Sequence, residues 1–393
     1  MQRIILSVMI LWLMASPVLA STSKLEVYNS SSEAKHAVAW QWRLSVGKST
    51  EDMVLLPNGN LLITATSQQI VISPQGQLVW EYKSSSGNLG RPVIDPYGSI
   101  YAASASSIQE TLANGVRGWN FTIYPAVKSG KSPLLAQGPQ KLLYLPLPNA
   151  LYAVDTQGHY VWSIYSWDAG GSASITSSTK RNFMAGAGDE QAFYVVFGEK
   201  ADYRLVAVDQ QGKFLWSYWL GDITQAGLVT DGQGRLYTSV SYKKSSTKRT
   251  GAGTSKLLPG KLICFQYDSN KPVWTVSLKI EKQFTTPVLY DGILYVNANS
   301  EIKAFRASDG VSVWENRLLE LFSPVTVSPL TGRIYVGSSE GALYALKNTG
   351  RMIWNRKLDG AIERAPLITA DGTIYVITAK GSLYKMVDQY KDV

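Results

Sequence analysis

The sequence predicts an all-β fold: an eight-bladed β-propeller of four-stranded antiparallel blades, its ring closed by an N-terminal strand. Three observations point there. Tryptophan recurs at positions 40, 80, 119, 162, 216, 274, 314 and 354, with spacings of 40, 39, 43, 54, 58, 40 and 40. A period near 40 residues filled with short strand signals is the mark of a propeller. Glycine stands four residues before the tryptophan at Gly76, Gly115, Gly158, Gly212, Gly310 and Gly350, where a hairpin turn requires positive φ. A second set of turn dipeptides, Asn58-Gly59, Tyr97-Gly98, Asp231-Gly232, Asp291-Gly292, Thr331-Gly332 and Asp371-Gly372, separates the first two strands of a unit.

At the N-terminus, residues 1–20 read as a secretory signal, with Arg3 as the positive region, Ile4 to Met14 as the apolar core and Val18-Leu19-Ala20 as the cleavage pattern. The apolar run is shorter than the roughly 20 residues a spanning helix needs. Cleavage near Ala20 leaves Ser21 first, where a bacterial lipid anchor would need cysteine. The expectation is an exported protein, secreted or periplasmic. It would comprise an N-terminal segment 21–37, one propeller over 38–388 and a tail 389–393.

Within the propeller each unit reads as a Trp strand, a Pro-flanked apolar strand, a turn, a Tyr-rich strand and another short strand. The last unit shows this as WNRKL followed by APLITADGTIYVITAKGSLYKMVD. Asn270 replaces glycine ahead of Trp274, and asparagine is the residue best able to take the left-handed conformation in its place. The turn aspartates read as turn formers rather than catalysts. The tryptophans, Trp40 included, read as the packing between neighbouring blades. Loss of one would cost on the order of 3 to 5 kcal/mol. Counting from Trp40, Trp354 closes the seventh blade and leaves three strands over Ala365 to Val387 without a fourth. The strand around Trp40 is the one unused, so it is assigned to the eighth blade, which removes open edges from the ring.

Composition narrows the function. The only cysteine, Cys264, lies in an apolar run and reads as a buried small hydrophobe. One thiol makes no internal disulfide, zinc cluster or CxxCH haem site. His36 and His159 have no metal-ligand spacing. Lys and Arg number 38 against 29 Asp and Glu, a formal +9 that permits attraction to polyanions without requiring it.

The run Ala153-Val-Asp155-Thr-Gln-Gly158-His-Tyr-Val-Trp162, echoed from Ala207 to Trp216 and from Ala345 to Trp354, resembles the tryptophan-docking repeat of the PQQ-like eight-bladed propellers. The resemblance spans residues 38–388. That family includes quinoprotein alcohol dehydrogenases, non-catalytic envelope-assembly lipoproteins and other exported proteins. The dehydrogenases hold their quinone against a disulfide of adjacent cysteines, with a calcium held by Glu and Asn and an Asp as base. A single cysteine excludes that disulfide, so the resemblance implies the non-catalytic branch, with no redox cofactor, no catalytic residue and no metal. The envelope-assembly branch, typified by the propeller lipoprotein of the outer-membrane barrel-assembly machine, matches in length and blade count. Its lipid-bearing cysteine has no counterpart at Ser21.

Two long units depart from the repeat. One insertion, residues 165–181, carries Tyr165, Trp167, Lys180 and Arg181; the other, residues 242–260, carries Lys243, Lys244, Lys248, Arg249 and Lys256 with no acidic residue. Both connections leave a propeller on the same face. Basic groups beside aromatics would hold an anionic glycan, a teichoic acid or lipid headgroups, nucleic acid being the ligand an exported protein has least occasion to meet. The plain alternative is a solvated Ser/Lys/Gly loop. The reading is a monomeric, exported, non-catalytic binding or scaffolding module for another protein or an envelope polymer. The alternatives are a polyanion-binding surface protein using residues 242–260, or an enzyme acting on an extracellular polymer through the central funnel.

Overall fold

In the computed structural model the described residues are 25–26, 38–46, 50–65, 68–83, 89–104, 107–123, 135–147, 150–164, 182–199, 202–243, 259–278, 284–298, 300–318 and 323–389. Residues 1–20, His36 and most of both insertions, for which the sequence raised expectations, lie outside them.

The chain folds as eight antiparallel sheets in a ring. Seven are consecutive blades whose strands, lettered A to D from the axis outward, follow chain order. Blade 1 runs from Thr50–Leu55 to Leu78–Lys83, blade 2 from Val93–Ile94 to Arg117–Thr122 and blade 3 from Ala136–Gln137 to Tyr160–Ile164. Blade 4 comprises Asn182–Gly188, Phe193–Glu199, Asp202–Val208 and Phe214–Gly221; blade 5 comprises Ile223–Thr230, Arg235–Tyr242, Gly260–Gln266 and Pro272–Leu278. Blade 6 runs from Val288–Tyr290 to Ser312–Arg317 and blade 7 from Thr326–Val327 to Met352–Lys357. In the eighth sheet Leu367–Ile368, Thr373–Ile377 and Ser382–Asp388 stand beside Val38–Ser45, with Trp40 opposite Met386 and Leu44 opposite Leu383. A fifth strand, Leu25–Glu26, lies outside that one, within a segment the sequence left without structure.

The B and C strands are buried on both faces, as in Leu143–Leu147 and Ala150–Val154. The D strands of blades 1, 2 and 6 alternate between half-buried and exposed, as in Ser312–Arg317, because they form the outer rim. Aliphatic side chains from facing blades make the core: Leu262, Cys264, Leu294 and Val296 pack together between blades 5 and 6.

The tryptophan of each D strand has two neighbours. Within its blade it meets the B-strand tyrosine, with ring centroids 5.7 Å apart for Tyr101–Trp119, 6.0 Å for Tyr237–Trp274 and 5.9 Å for Tyr295–Trp314. Blade 1 has Leu62 in that role beside Trp80. Across the gap, the indole N–H donates to a carbonyl in the next blade's C–D turn: Trp80 to Ala113, Trp119 to Thr156, Trp162 to Gln210, Trp216 to Tyr267, Trp274 to Ala307 and Trp314 to Asn348, at 2.7 to 3.1 Å. The ring also lies on the turn glycine. A Cβ on Gly350 would stand 2.6 Å from Trp314, and its φ is +84°, so both space and backbone conformation demand glycine. The side chain of Trp40 is outside the described residues.

Asn270 corrects the expectation that it imitates glycine. It does not take positive φ; its Nδ2 donates to Ser217 O in blade 4 at 3.3 Å. This turn therefore adds a side-chain amide contact to the Trp216–Tyr267 bond, where other turns bring a glycine against the indole. Turn aspartates serve the backbone: Asp155 Oδ1 accepts from the N–H groups of Gln157 and His159, and Asp231 Oδ1 from those of Gln233 and Arg235. Cys264 is buried, and burial pushes its thiol up to about 12.

Between blades 7 and 8 the pattern changes, because the strand outside Ser382–Asp388 in blade 8 is Val38–Ser45 and not one that follows it in the chain. Trp354 Nε1 is buried without a hydrogen-bond partner among the described residues. Asp388 occupies the position of Asp155 and Asp209 in the repeat, and it takes Arg333 Nη1 and the Tyr335 hydroxyl, both at 2.8 Å. The Arg333–Asp388 ion pair is buried.

Candidate functional site

Strand pairing fixes which connections share a face. Ile164 at the end of blade 3 lies opposite Leu151. Asn182 at the start of blade 4 lies opposite Gly198, and Ile223 at the start of blade 5 opposite Tyr242. Every D–A connection therefore leaves the ring at the end where B–C connections leave it. The anchors of both insertions, Ile164 and Asn182 for one and Lys243 and Pro259 for the other, belong to this face and bracket blade 4. Of the charged and aromatic residues singled out in the insertions, Lys243 alone is among the described ones; it is exposed. Tyr165, Trp167, Lys180, Arg181, Lys244, Lys248, Arg249 and Lys256 lie outside them.

The described surface between the two insertions is distinctive. The D strand of blade 4 reads Phe-Leu-Trp-Ser-Tyr-Trp-Leu-Gly. Trp216, Tyr218 and Leu220 alternate toward blade 5, where Trp216 and Tyr218 meet Phe265 with ring centroids 5.4 and 4.9 Å away. Trp219 is of opposite parity, points the other way and is 62 % exposed. Its cross-strand neighbour is Arg204, whose Nε lies 3.3 Å from Asp202 Oδ1. Gly221, with φ +85°, lets the chain turn sharply, so that Asp222 alone links the outer strand of blade 4 to the inner strand of blade 5. Asp222 O accepts from the Lys243 N–H at 2.9 Å, which ties the second insertion to the segment that follows Trp219. Lys261 stands 5.7 Å from the centre of the Tyr242 ring.

These side chains form an amphipathic surface: a large exposed indole with the Arg204–Asp202 pair opposite it on the neighbouring strand, and exposed Lys243 on the same face of the ring. The combination suits recognition of another macromolecule and supplies no nucleophile paired with a base. Among the described residues no group of three His, Cys, Asp or Glu side chains is placed to hold a metal ion. His159 is exposed and its Nδ1 lies 3.0 Å from Asp155 Oδ2 in its own turn. On the opposite face an apolar depression is lined by Leu55, Leu56, Pro57, Ile94 and Pro96. Its one carboxylate, Asp95, accepts from the N–H groups of Tyr97 and Ser99 and the Tyr101 hydroxyl.

Trp219 was legible in the sequence as a second tryptophan three residues after a docking one. An odd offset on a strand puts a side chain on the other face. Aligning only the repeated tryptophans passes over it.

The comparisons agree with this architecture. The family model described as outer membrane protein assembly factor BamB matches residues 30–236, 201–329 and 298–389. Among solved structures, BamB from Moraxella catarrhalis superposes with a TM-score of 0.60 at 14 % identity, covering 89 % of this chain and 99 % of that one. A structure of the Dos1 propeller gives 0.66 at 10 % identity, covering 92 % and 98 %. The computationally designed Ika8 protein gives 0.62 at 10 % identity, covering 87 % and 96 %. At these identities the superpositions establish the fold. No curated protein matches the sequence. No helix among the described residues is long and apolar enough to cross a membrane. The family match extends over nearly the whole propeller, and on it the chain belongs to the PQQ-like repeat family of the outer membrane protein assembly factor BamB.

Proposed function

We propose that this protein is a non-catalytic binding or scaffolding module, exported by way of residues 1–20 to the cell envelope, and that it docks a protein partner on the face that carries Trp219. The observation behind this reading is Trp219 itself. An indole 62 % exposed at a sheet edge loses hydration-unfavourable surface when a partner covers it, and tryptophan and arginine are the residues that most often dominate binding energy. Arg204 beside it and Lys243 on the same face supply charge at the rim. The family description, an assembly factor of outer membrane proteins, supports an envelope role with protein partners.

The test replaces Trp219 with alanine and with phenylalanine in the full-length protein and compares what co-purifies from the host. Trp219→Ala should lose the partner while the melting temperature stays near the parent value, and Trp219→Phe should retain part of the binding. An unchanged set of partners in Trp219→Ala would remove the assignment of this face.

A further inference from the structure

Blade 5 holds a cation that the repeat leaves without a counter-charge. The C strands can be compared at the position three residues before the one that pairs with the docking tryptophan. In blade 4 this is Arg204, with Asp202 at 3.3 Å; in blade 6 it is Glu301, with Arg317 opposite it at 2.6 Å and Lys303 at 3.0 Å. In blade 5 it is Lys261, whose cross-strand neighbours are Val240 and Ser277. Lys261 is half-buried, and its ammonium makes no ion pair or hydrogen bond among the described residues. Other half-buried lysines are satisfied, Lys303 by Glu301 and Glu315 and Lys385 by the Pro74 carbonyl. Asp222, in the link between blades 4 and 5, does not pair with Lys261, and residues 243–260 contain no acidic residue.

Strand parity turns Lys261, with Ile263 and Phe265, toward blade 4. Its ammonium stands 5.7 Å from the centre of the Tyr242 ring. Tyr242 ends the B strand on the same side of blade 5, and Tyr218 faces it from the D strand of blade 4. Ser277, directly opposite Lys261, shares that side as well. The hydroxyls of Tyr242, Tyr218 and Ser277 have no hydrogen-bond partner among the described residues. Burial, and after it the nearby Tyr218, pushes the Tyr242 hydroxyl up to about 12, so it stays protonated and free to donate. A half-buried charge without a partner opposes folding. An anion in the gap would match the charge and use the hydroxyls, and one ammonium matches one negative charge.

We infer that the gap between blades 4 and 5 binds a singly charged oxyanion, a carboxylate or a phosphodiester, on the Lys261 ammonium, with the Tyr242 and Ser277 hydroxyls as further donors. The site stands independently of docking at Trp219, because Trp219 has the opposite parity to Tyr218 and points away from this gap.

The experiment melts the full-length protein, Lys261→Met and Lys243→Met in sodium acetate, sodium dimethyl phosphate and sodium chloride at one ionic strength. An anion that binds the folded protein raises its melting temperature. The parent should melt higher in acetate or in dimethyl phosphate than in chloride, and Lys243→Met should keep that rise. Lys261→Met should lose it, with affinity weaker by about tenfold or more, while melting in chloride at or above the parent value. A rise in acetate alone identifies a carboxylate ligand, a rise in dimethyl phosphate alone a phosphodiester, and a rise in both a site that takes either. If Lys261→Met fails to fold, carbon NMR of the parent with methylated lysines takes its place, the Lys261 signal being the one missing from Lys261→Arg. A saturable shift confined to that signal supports the site. Equal responses of the parent and Lys261→Met to each anion, or shifts shared by all lysines, would overturn it.

Discussion

Arg43 Nη2 donates to Asp359 Oδ2 at 2.6 Å, joining residues 316 positions apart. Asp359 lies in the connection from blade 7 to blade 8, and it also accepts from the hydroxyls of Ser382 and Thr378, each at 2.7 Å. Arg43 reaches Ser382 Oγ at 2.9 Å as well. One carboxylate therefore gathers the N-terminal strand, the last B–C hairpin and the connection before it, at the level where the two ends of the chain come together.

The pH dependence of this contact has a definite sign. Burial opposes ionisation of Asp359, but the hydrogen bonds from Ser382, Thr378 and Tyr384 and the charge of Arg43 outweigh it and hold the carboxyl below its ordinary value. A carboxyl whose folded pKa is depressed contributes stability that is complete above the unfolded value, about 3.9, and is lost as pH falls through the folded value. Melting curves from pH 7 to pH 3 should show the loss. Asp359→Asn should melt lower at pH 7, by on the order of 1 kcal/mol since Arg43 is partly exposed, with a shallower acid limb. An acid limb as steep as the parent's would show that other carboxylates govern it.

Closure by the strand around Trp40 is tested by removing it. A chain lacking residues 21–46 should melt well below the parent and self-associate, because the edge of Ser382–Asp388 that pairs with Val38–Ser45 is then open. Light scattering and calorimetry check this. A truncated chain that stays monomeric and melts like the parent would mean that the ring does not depend on that strand.

The indole hydrogen bonds can be weighed by comparing two sites. Trp119 Nε1 donates to Thr156 O, whereas Trp354 Nε1 has no partner among the described residues. Replacement by phenylalanine shrinks both rings alike but removes a hydrogen bond only at Trp119. Trp119→Phe should therefore be the more destabilising by about 1 kcal/mol in equilibrium unfolding. Equal losses would make the docking contact one of packing alone.

Glycine at the C–D turn is required both by backbone conformation and by the space the indole leaves, and comparison with Gly232 in the A–B turn of blade 5 separates the two reasons experimentally. At Gly232 the φ is +72° and nothing lies within 4 Å of an added Cβ; at Gly350 the Cβ would meet Trp314 at 2.6 Å. Gly232→Ala should cost about 1 kcal/mol of backbone strain, and Gly350→Ala visibly more, since the indole must shift. Denaturant midpoints for the two variants decide it.

Replacing Lys243, Lys244, Lys248 and Arg249 with serine tests the basic loop. If the partner is anionic, parent binding should weaken as salt shortens the Debye length from about 10 Å toward 3 Å, and the variant should be weak already at low salt. Its melting temperature should be unchanged, because exposed charges contribute little to folding. Full retention of partners with unchanged salt response would leave the loop without a role in binding.

The sequence by itself determined the repeat, and with it the number of blades, the strand order and most of the turn chemistry. Each of these is written locally: a glycine four residues before a tryptophan specifies a hairpin from backbone sterics alone, and a period of 40 then copies it around the ring. Tertiary structure decided what happens where the copies meet or fail to meet. Asn270 docks through its amide and not by a left-handed backbone, because Ser217 of the neighbouring blade offers a carbonyl within reach. Trp354 Nε1 finds no partner among the described residues, and Asp388 takes Arg333, because the outer strand of blade 8 is Val38–Ser45 and is not reached from Ser382–Asp388 by a hairpin. Trp219 is exposed because strand parity turns it from the core and no described strand covers that edge, a fact about neighbours that no local pattern contains.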